Sequence, residues 1–130
     1  MKMLIVEDEP VQRTILAQVF RGEGHHVRAF CSSGPAVEIV RSWQPEIVIC
    51  DLELPGESGE EVAAAADALP YPAWIILLSV DRQRLESARS IADIVLRKPF
   101  PLVELVRLVE QIRSTESSRG SSSHGAQENA

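Results

Sequence analysis

The chain has 130 residues, of which 45% are hydrophobic and 25% are charged, and these values are typical of a single globular domain. A net charge of −6 argues against direct nucleic-acid binding, and two cysteines are too few for a disulfide scaffold. The apolar runs are too short to cross a membrane and no secretory signal is recognisable, so we expect a cytoplasmic protein that does not bind membranes.

Five short apolar runs, rich in β-branched residues, alternate along the chain with segments of helical periodicity. The runs predict buried strands at residues 3–6, 27–31, 47–50, 74–78 and 94–96. Pro10, Pro35 and Ser58 suit the starts of the first three helices. The last helix carries an apolar stripe from Leu102 to Ile112. This strict alternation of five strands and five helices predicts an α/β fold with a parallel sheet covered on both faces.

The composition changes abruptly after Arg113. Residues 114–130 include six serines and two glycines but no large apolar residue. Such a segment buries too little surface to offset the entropy lost on ordering. We therefore predict one folded domain over residues 1–113 and a disordered Ser/Gly-rich tail or linker over residues 114–130.

Polar residues stand at the ends of four predicted strands. They are Glu7 and Asp8 after the first strand, Asp51 after the third, Ser79 at the end of the fourth and Lys98 after the fifth. Ligands of open parallel sheets bind outside the carboxyl ends of the strands, so we expect these side chains to converge. Any one of them alone is typical of an ordinary turn or helix cap, but the combination predicts a functional site.

The combination has a specific chemistry. Three clustered carboxylates repel one another, and a hard divalent cation with oxygen ligands relieves that repulsion. A carboxylate beside such an ion can attack phosphorus and become an aspartyl phosphate. A lysine and a hydroxyl can then hold the transferred phosphoryl oxygens, so that catalysis is mostly positioning and charge neutralisation.

Four motifs in this order resemble the receiver domain of two-component response regulators. They are LIVEDEP at residues 4–10, ICDLELPG at 49–56 with Gly59, LLS at 77–79 and KPF at 98–100. The resemblance covers about residues 2–113, and the ordered set is far more specific than any single motif. It implies one flavodoxin-like (βα)5 domain whose five parallel strands lie in the order 2-1-3-4-5.

The resemblance also implies a metal and a phosphorylation site. Asp51 is the expected phosphoacceptor of a phosphorelay and a ligand of Mg²⁺ or Mn²⁺. Asp8 is expected to bind the ion directly, Glu7 through water, and Glu53 through its backbone carbonyl. The expected donor is a histidine kinase or a histidine phosphotransfer protein.

Two further residues of the resemblance would handle the transferred group. Lys98 is expected to pair with the phosphoryl group, and Ser79 to follow it and so report its presence. The Lys98–Pro99 peptide bond is expected to be cis, an isomer that is uncommon even before proline. The output would be a switched surface that binds an unidentified downstream protein, and the only catalysis would be the chain's own phosphotransfer and dephosphorylation.

Three features depart from the usual receiver pattern. Val95 stands where an aromatic switch residue is usual, and Val80 stands where a small residue is usual and would restrict access to Asp51. The stretch between Ser79 and Lys98 is short, which predicts a short or altered fourth helix. The first and third departures bear on the output surface, and none of the three removes an expected phosphorylation residue.

Two acids near the expected site have open interpretations. Glu53 and Asp81 follow the acceptor and the hydroxyl by two positions each, and they are either solvated loop residues or modulators of the attacking water.

Two other functional classes also stay open from the sequence. A phosphatase of the haloacid dehalogenase type also uses an Asp nucleophile and Mg²⁺, although its second acid is normally Asp where this chain has Glu53. The other class is a degenerate receiver that serves only as an interaction module.

Overall fold

The computed structural model describes residues 1–56 and 58–122, with side chains described through residue 116. Five strands alternate with five helices, as the sequence predicts. The strands are β1 (Lys2–Val6), β2 (His26–Phe30), β3 (Ile47–Asp51), β4 (Trp74–Ser79) and β5 (Ile94–Arg97). The helices are α1 (Pro10–Gly22), α2 (Ser33–Trp43), α3 (Gly59–Asp67), α4 (Arg82–Ala88) and α5 (Leu102–Ser122), and a 3₁₀ turn (Arg89–Ile91) follows α4.

The strands form one parallel sheet in the order β2-β1-β3-β4-β5, which confirms the expected flavodoxin-like topology. The strand order reverses between β1 and β3, and crevices at such a reversal are where open α/β sheets bind ligands. Val6 pairs with Cys50 across these two strands. The residues that follow them, Glu7 and Asp51, therefore emerge side by side at the carboxyl edge of the sheet.

The core of the first 99 residues has two layers because successive strand residues point to opposite faces. One face forms a buried cluster with residues of α2, α3 and α4, and its central strand residues are Leu4, Val6, Val48, Cys50, Ile75 and Leu77. The intervening strand residues, among them Ile5 and Ile49, are equally buried. Leu16 and Phe20 of α1 are buried outside that cluster and cover this second face.

Side-chain caps fix where three of the helices begin. The Glu9 carboxylate accepts a hydrogen bond from the backbone N–H of Gln12 at 2.7 Å, and Pro10 opens α1. Ser58 caps α3 in the same way, and Asp81 caps α4. Each cap supplies an acceptor for an otherwise unpaired N–H of the first turn. The loops that precede these helices carry the polar residues of the sheet edge, so the caps also fix the shape of that edge.

The chain divides into two compact units, Met1–Pro99 and Phe100–Ala130, and all five strands belong to the first. Helix α5 continues nine residues past the boundary predicted after Arg113, so residues 114–122, which the sequence assigns to the tail, are helical in the structure. No proline interrupts the segment. Relative to alanine, each serine costs only about 0.5 kcal/mol in a helix that has already formed. Residues 123–130 lie outside the described residues.

None of the described helices is long and apolar enough to cross a bilayer.

Candidate functional site

Three carboxylates meet at the carboxyl edge of the sheet where its strand order reverses. Glu7 and Asp8 follow β1, and Asp51 ends β3. One carboxylate oxygen from each lies within 4.8 Å of the others. Glu7 and Asp51 are almost fully buried, with 1% and 2% of their surface exposed, while Asp8 is half-buried. The site therefore has an open side at Asp8 and a closed side at Glu7.

Lys98 places an ammonium group inside this acidic cluster. Its Nζ lies 2.5 Å from Oδ2 of Asp51 and 3.2 Å from Oε1 of Glu7. The backbone N–H of Lys98 donates to the carbonyl of Ser79 at 2.9 Å, and the Lys98–Pro99 peptide bond is cis. This backbone bond fixes the position from which the long side chain reaches across β4 to β3.

The charges of the cluster shift the pKa values of its members. Burial raises the pKa of Glu7, and repulsion from Asp51 raises it further, against the hydrogen bond from the Glu9 N–H. Burial alone would lower the pKa of Lys98, but its hydrogen bond with Asp51 and the charges of Asp51 and Glu7 raise it above the ordinary value. Lys98 thus stays a cation, and three carboxylates with one ammonium leave the cluster with an excess of negative charge.

Arg13 of α1 adds a second cation behind the cluster. Its Nη1 donates to the backbone carbonyl of Glu7 at 2.9 Å and to that of Asp8 at 3.3 Å. Sequence reasoning did not identify this residue. One local signal was available, because Arg13 lies one helical turn into the helix that directly follows the two acids.

The local chain holds Asp51 in a fixed orientation. Its Oδ1 accepts the backbone N–H of Glu53 at 2.9 Å, while Oδ2 faces Lys98. The preceding residue, Cys50, points into the opposite layer, where burial raises the pKa of its thiol. Gly59 lets α3 approach this strand closely, since an added Cβ would lie 2.5 Å from the backbone oxygen of Asp51. Only glycine leaves room for that approach.

Ser79 lies at the same edge but interacts with a different acid. It is fully buried, and its hydroxyl donates to a carboxylate oxygen of Glu53. The same hydroxyl oxygen accepts the backbone N–H of Asp81 at 2.9 Å. The other carboxylate oxygen of Glu53 accepts the N–H of Val80 at 3.2 Å. Glu53 is therefore part of the Ser79 loop and is not a free surface acid.

The other residues singled out from the sequence have distinct positions. The Asp81 carboxylate caps α4 by accepting from the N–H groups of Gln83 and Arg84. Val80 is exposed on the loop, and Val95 is a half-buried strand residue packed against the core cluster. Helix α4 has seven residues, which agrees with the prediction of a short fourth helix.

Two residues that sequence reasoning missed connect this loop to the helices. Arg84 of α4 donates from Nε and Nη2 to the two carboxylate oxygens of Glu60 on α3, at 3.2 and 3.1 Å. Its third nitrogen, Nη1, lies 3.9 Å from Oε2 of Glu53. The hydrogen bonds from Arg84 lower the pKa of Glu60 to about 2. These residues are 24 to 31 positions apart, so no local spacing marks them.

The arrangement combines the parts that a phosphoryl-transfer site needs. Asp51 supplies a fixed carboxylate, and the acids around it are hard oxygen donors of the kind that Mg²⁺ prefers. Lys98 supplies positive charge at the same point. Catalysis of phosphoryl transfer rests mainly on positioning and charge neutralisation, and both are present here.

Comparison with known proteins decides the family. The sequence matches the response regulator receiver domain over residues 3–110. The chain belongs to this family. It is therefore a receiver domain of two-component signalling systems, and the expectation raised by the four motifs is confirmed.

Individual relatives agree with this assignment. The transcriptional regulatory protein PdtaR of Mycobacterium tuberculosis is 34% identical over 113 residues, covering 84% of this chain and 55% of the relative. The DNA-binding response regulator MtrA of Mycolicibacterium smegmatis is 31% identical over 122 residues, covering 88% of this chain and 52% of the relative. This receiver chain thus spans about half the length of the curated relatives it matches.

Solved structures give the same result. The response regulator TrrA of Thermotoga maritima, in complex with Mg²⁺-BeF, is 32% identical with a TM-score of 0.72, covering 85% of this chain and 98% of that one. A CheY-like receiver domain from Methanospirillum hungatei has a TM-score of 0.82 at 18% identity, over 91% of this receiver and 97% of that chain, and this likeness concerns the fold.

Proposed function

We propose that this receiver domain accepts a phosphoryl group on Asp51 from a histidine kinase or a histidine phosphotransfer protein. The observation that carries the proposal is the placement of Asp51, with Oδ2 2.5 Å from the Lys98 ammonium and the carboxylates of Glu7 and Asp8 beside it. In the transfer, a carboxylate oxygen of Asp51 attacks the phosphorus. The bond from phosphorus to the donor nitrogen breaks, and its electron pair returns to the imidazole.

The donor set fits a divalent cation. Glu7, Asp8 and Asp51 bring hard oxygen atoms to within 4.8 Å of one another, and Lys98 compensates only part of their charge. We propose Asp8, Asp51 and the backbone carbonyl of Glu53 as direct ligands of Mg²⁺ or Mn²⁺, with Glu7 acting through water. The ion would neutralise charge on the phosphoryl oxygens during transfer.

Lys98 and Ser79 have separate parts in this proposal. Lys98 already pairs with the acceptor carboxylate and would move its contact to a phosphoryl oxygen after transfer. Ser79 lies at the end of the neighbouring strand and would turn its hydroxyl to the phosphoryl group. That turn would change the loop before α4, and with it the surface that meets a downstream protein.

The charge of −6 gives the chain no evident affinity for nucleic acid.

Incubation with Mg²⁺ and a small phosphodonor such as acetyl phosphate separates this proposal from its alternatives. A receiver gives a stoichiometric adduct that is lost slowly through its own dephosphorylation. A phosphatase of the haloacid dehalogenase type would instead release phosphate over many turnovers, and a degenerate interaction module would give neither adduct nor turnover. Intact mass and released phosphate, followed in the same sample, distinguish the three.

A further inference from the structure

Ser79 has one hydroxyl proton, and in this structure that proton is given to the carboxylate of Glu53. A phosphoryl group on Asp51 would need the same proton, because a serine hydroxyl has a single O–H to donate. The two hydrogen bonds are therefore mutually exclusive.

Glu53 contacts a second residue of this loop in addition to Ser79. Its second oxygen accepts the N–H of Val80 at 3.2 Å. The carbonyl of Val80 accepts from Nε of Arg97 at 3.3 Å. The N–H and the carbonyl of Val80 are thus both hydrogen-bonded, and Glu53 accepts one of these two bonds. Val80 belongs to the loop that would have to move toward a phosphoryl group.

The guanidinium group of Arg84 lies near the carboxylate of Glu53. Two nitrogens of the Arg84 guanidinium are occupied by Glu60, which fixes the plane of the group. The remaining Nη1 lies 3.9 Å from Oε2 of Glu53, too far for a good hydrogen bond but close enough to become one after a small side-chain rotation. Arg84 belongs to α4, so this contact would transmit the movement of Glu53 to that helix.

We propose that the Glu53 side chain is a latch, which competes with the phosphoryl group for the Ser79 hydroxyl, and that Arg84 is a positioning residue that receives the displaced carboxylate. The inference rests on the proposed phosphorylation of Asp51. It gives this receiver a route from the acceptor to α4 that does not pass through Val95, the position where the usual aromatic residue is missing.

The latch is tested with beryllofluoride as a mimic of the phosphoryl group, in the presence of Mg²⁺, with binding followed by ¹⁹F NMR. Glu53→Ala keeps the backbone carbonyl but frees the Ser79 hydroxyl, so we expect beryllofluoride to bind about tenfold tighter than to the wild type, or about 1.4 kcal/mol. Glu61→Ala is the matched control, because it removes one negative charge from an exposed position on α3. Unchanged affinity in Glu53→Ala, or an equal gain in Glu61→Ala, would overturn the proposal.

A double-mutant cycle separates competition for the hydroxyl from simple charge repulsion. In a Ser79→Ala background there is no hydroxyl to release, so adding Glu53→Ala should change the affinity by less than about twofold. If Glu53→Ala still tightens binding tenfold in that background, Glu53 acts through its charge on the phosphoryl site and the latch is rejected.

Arg84 has its own readout. Arg84→Met removes the group that receives the displaced carboxylate, so we expect beryllofluoride to bind about two- to fivefold more weakly, as for loss of a partly exposed ion pair. The same substitution in the Glu53→Ala background should have no effect on affinity, because no carboxylate is left to receive. An equal loss in both backgrounds would show that Arg84 acts only through the fold.

The wild type keeps this test distinct from the proposed function. If the wild type binds no beryllofluoride with Mg²⁺, phosphorylation of Asp51 itself is contradicted. If the wild type binds and Glu53→Ala binds equally well, Asp51 remains a supported acceptor and the latch alone fails.

Discussion

Lys98 is the counterion of two buried carboxylates in the folded chain. Its ammonium lies within hydrogen-bonding distance of both Glu7 and Asp51, whose side chains are 1% and 3% exposed. A buried carboxylate without a partner is costly because it has lost its hydration. Lys98 therefore supports the fold before any phosphoryl group arrives, in addition to its proposed role in transfer.

Replacing this lysine should destabilise the protein in a way that Mg²⁺ repairs. We expect Lys98→Met to lower the melting temperature, and Mg²⁺ to raise it by more in the variant than in the wild type, because the variant cluster is more negative. Thermal unfolding with and without Mg²⁺ measures this. Lys2→Met, which removes a lysine at the opposite end of β1, is the control and should leave the Mg²⁺ response as in the wild type. Equal responses in Lys98→Met and the wild type would contradict the counterion role.

Helix α4 is short and buries few apolar side chains. Only Leu85 and Ala88 of its seven residues are buried. Polar contacts compensate: Asp81 caps its first turn, and Arg84 joins it to Glu60 of α3. Its position therefore depends on charged groups, which makes it sensitive to pH and to charge at the neighbouring loop.

The ion pair between Arg84 and Glu60 predicts an acid-dependent part of the stability. The pKa of Glu60 is about 2 in the folded chain and has an ordinary value of 4.5, so the pair stabilises the fold above pH 4.5 and this contribution is lost as the pH falls toward 2. Because the pair is about one third exposed, we expect Glu60→Gln to lower the free energy of unfolding by only about 1 kcal/mol near neutral pH. Denaturant unfolding across this pH range should show the difference shrinking toward pH 2. A difference that is constant with pH would contradict the assignment.

Within residues 1–99, we expect residues 81–91 to unfold locally at the lowest free energy. Elements with few buried apolar contacts open at low free energy. We expect slower amide exchange across residues 81–91 when beryllofluoride and Mg²⁺ are bound, with little change around Val95, whose β-branched side chain has few rotamers. Hydrogen exchange with and without the mimic measures this. Unchanged protection across residues 81–91 together with a large change confined to β5 would contradict it.

At the scale of the whole molecule, the site is a product of topology. Glu7, Asp51 and Lys98 are far apart in the sequence, and the parallel order β2-β1-β3-β4-β5 brings them to one edge. The apolar runs were sufficient to predict that these residues meet at one edge, because a buried parallel strand has a recognisable composition and the polar residue at its end marks the edge. The strand order itself was implied by the resemblance to receiver domains.

Two kinds of feature could not be predicted from the sequence. They are contacts between side chains that are distant in the chain, and the end of a helix that continues beyond its apolar stripe. The pairing of Arg84 with Glu60 and Glu53 depends on how α3 and α4 lie over the sheet, and no residue spacing encodes it. The extension of α5 to Ser122 was missed for a different reason. Serines rank poorly as helix formers, but they do not stop a helix. The predicted division of the chain after Arg113 stays a prediction for residues 123–130.

The central claim, that Asp51 is the single acceptor, is tested most directly by intact mass after treatment with a small phosphodonor and Mg²⁺. The wild type should gain the mass of one phosphoryl group, and chelation of Mg²⁺ should prevent the gain. Asp51→Asn, which keeps the shape of the side chain and removes its nucleophilic carboxylate, should gain nothing under the same conditions. If Asp51→Asn acquires the same mass as the wild type, the acceptor lies elsewhere and the account of this site is wrong.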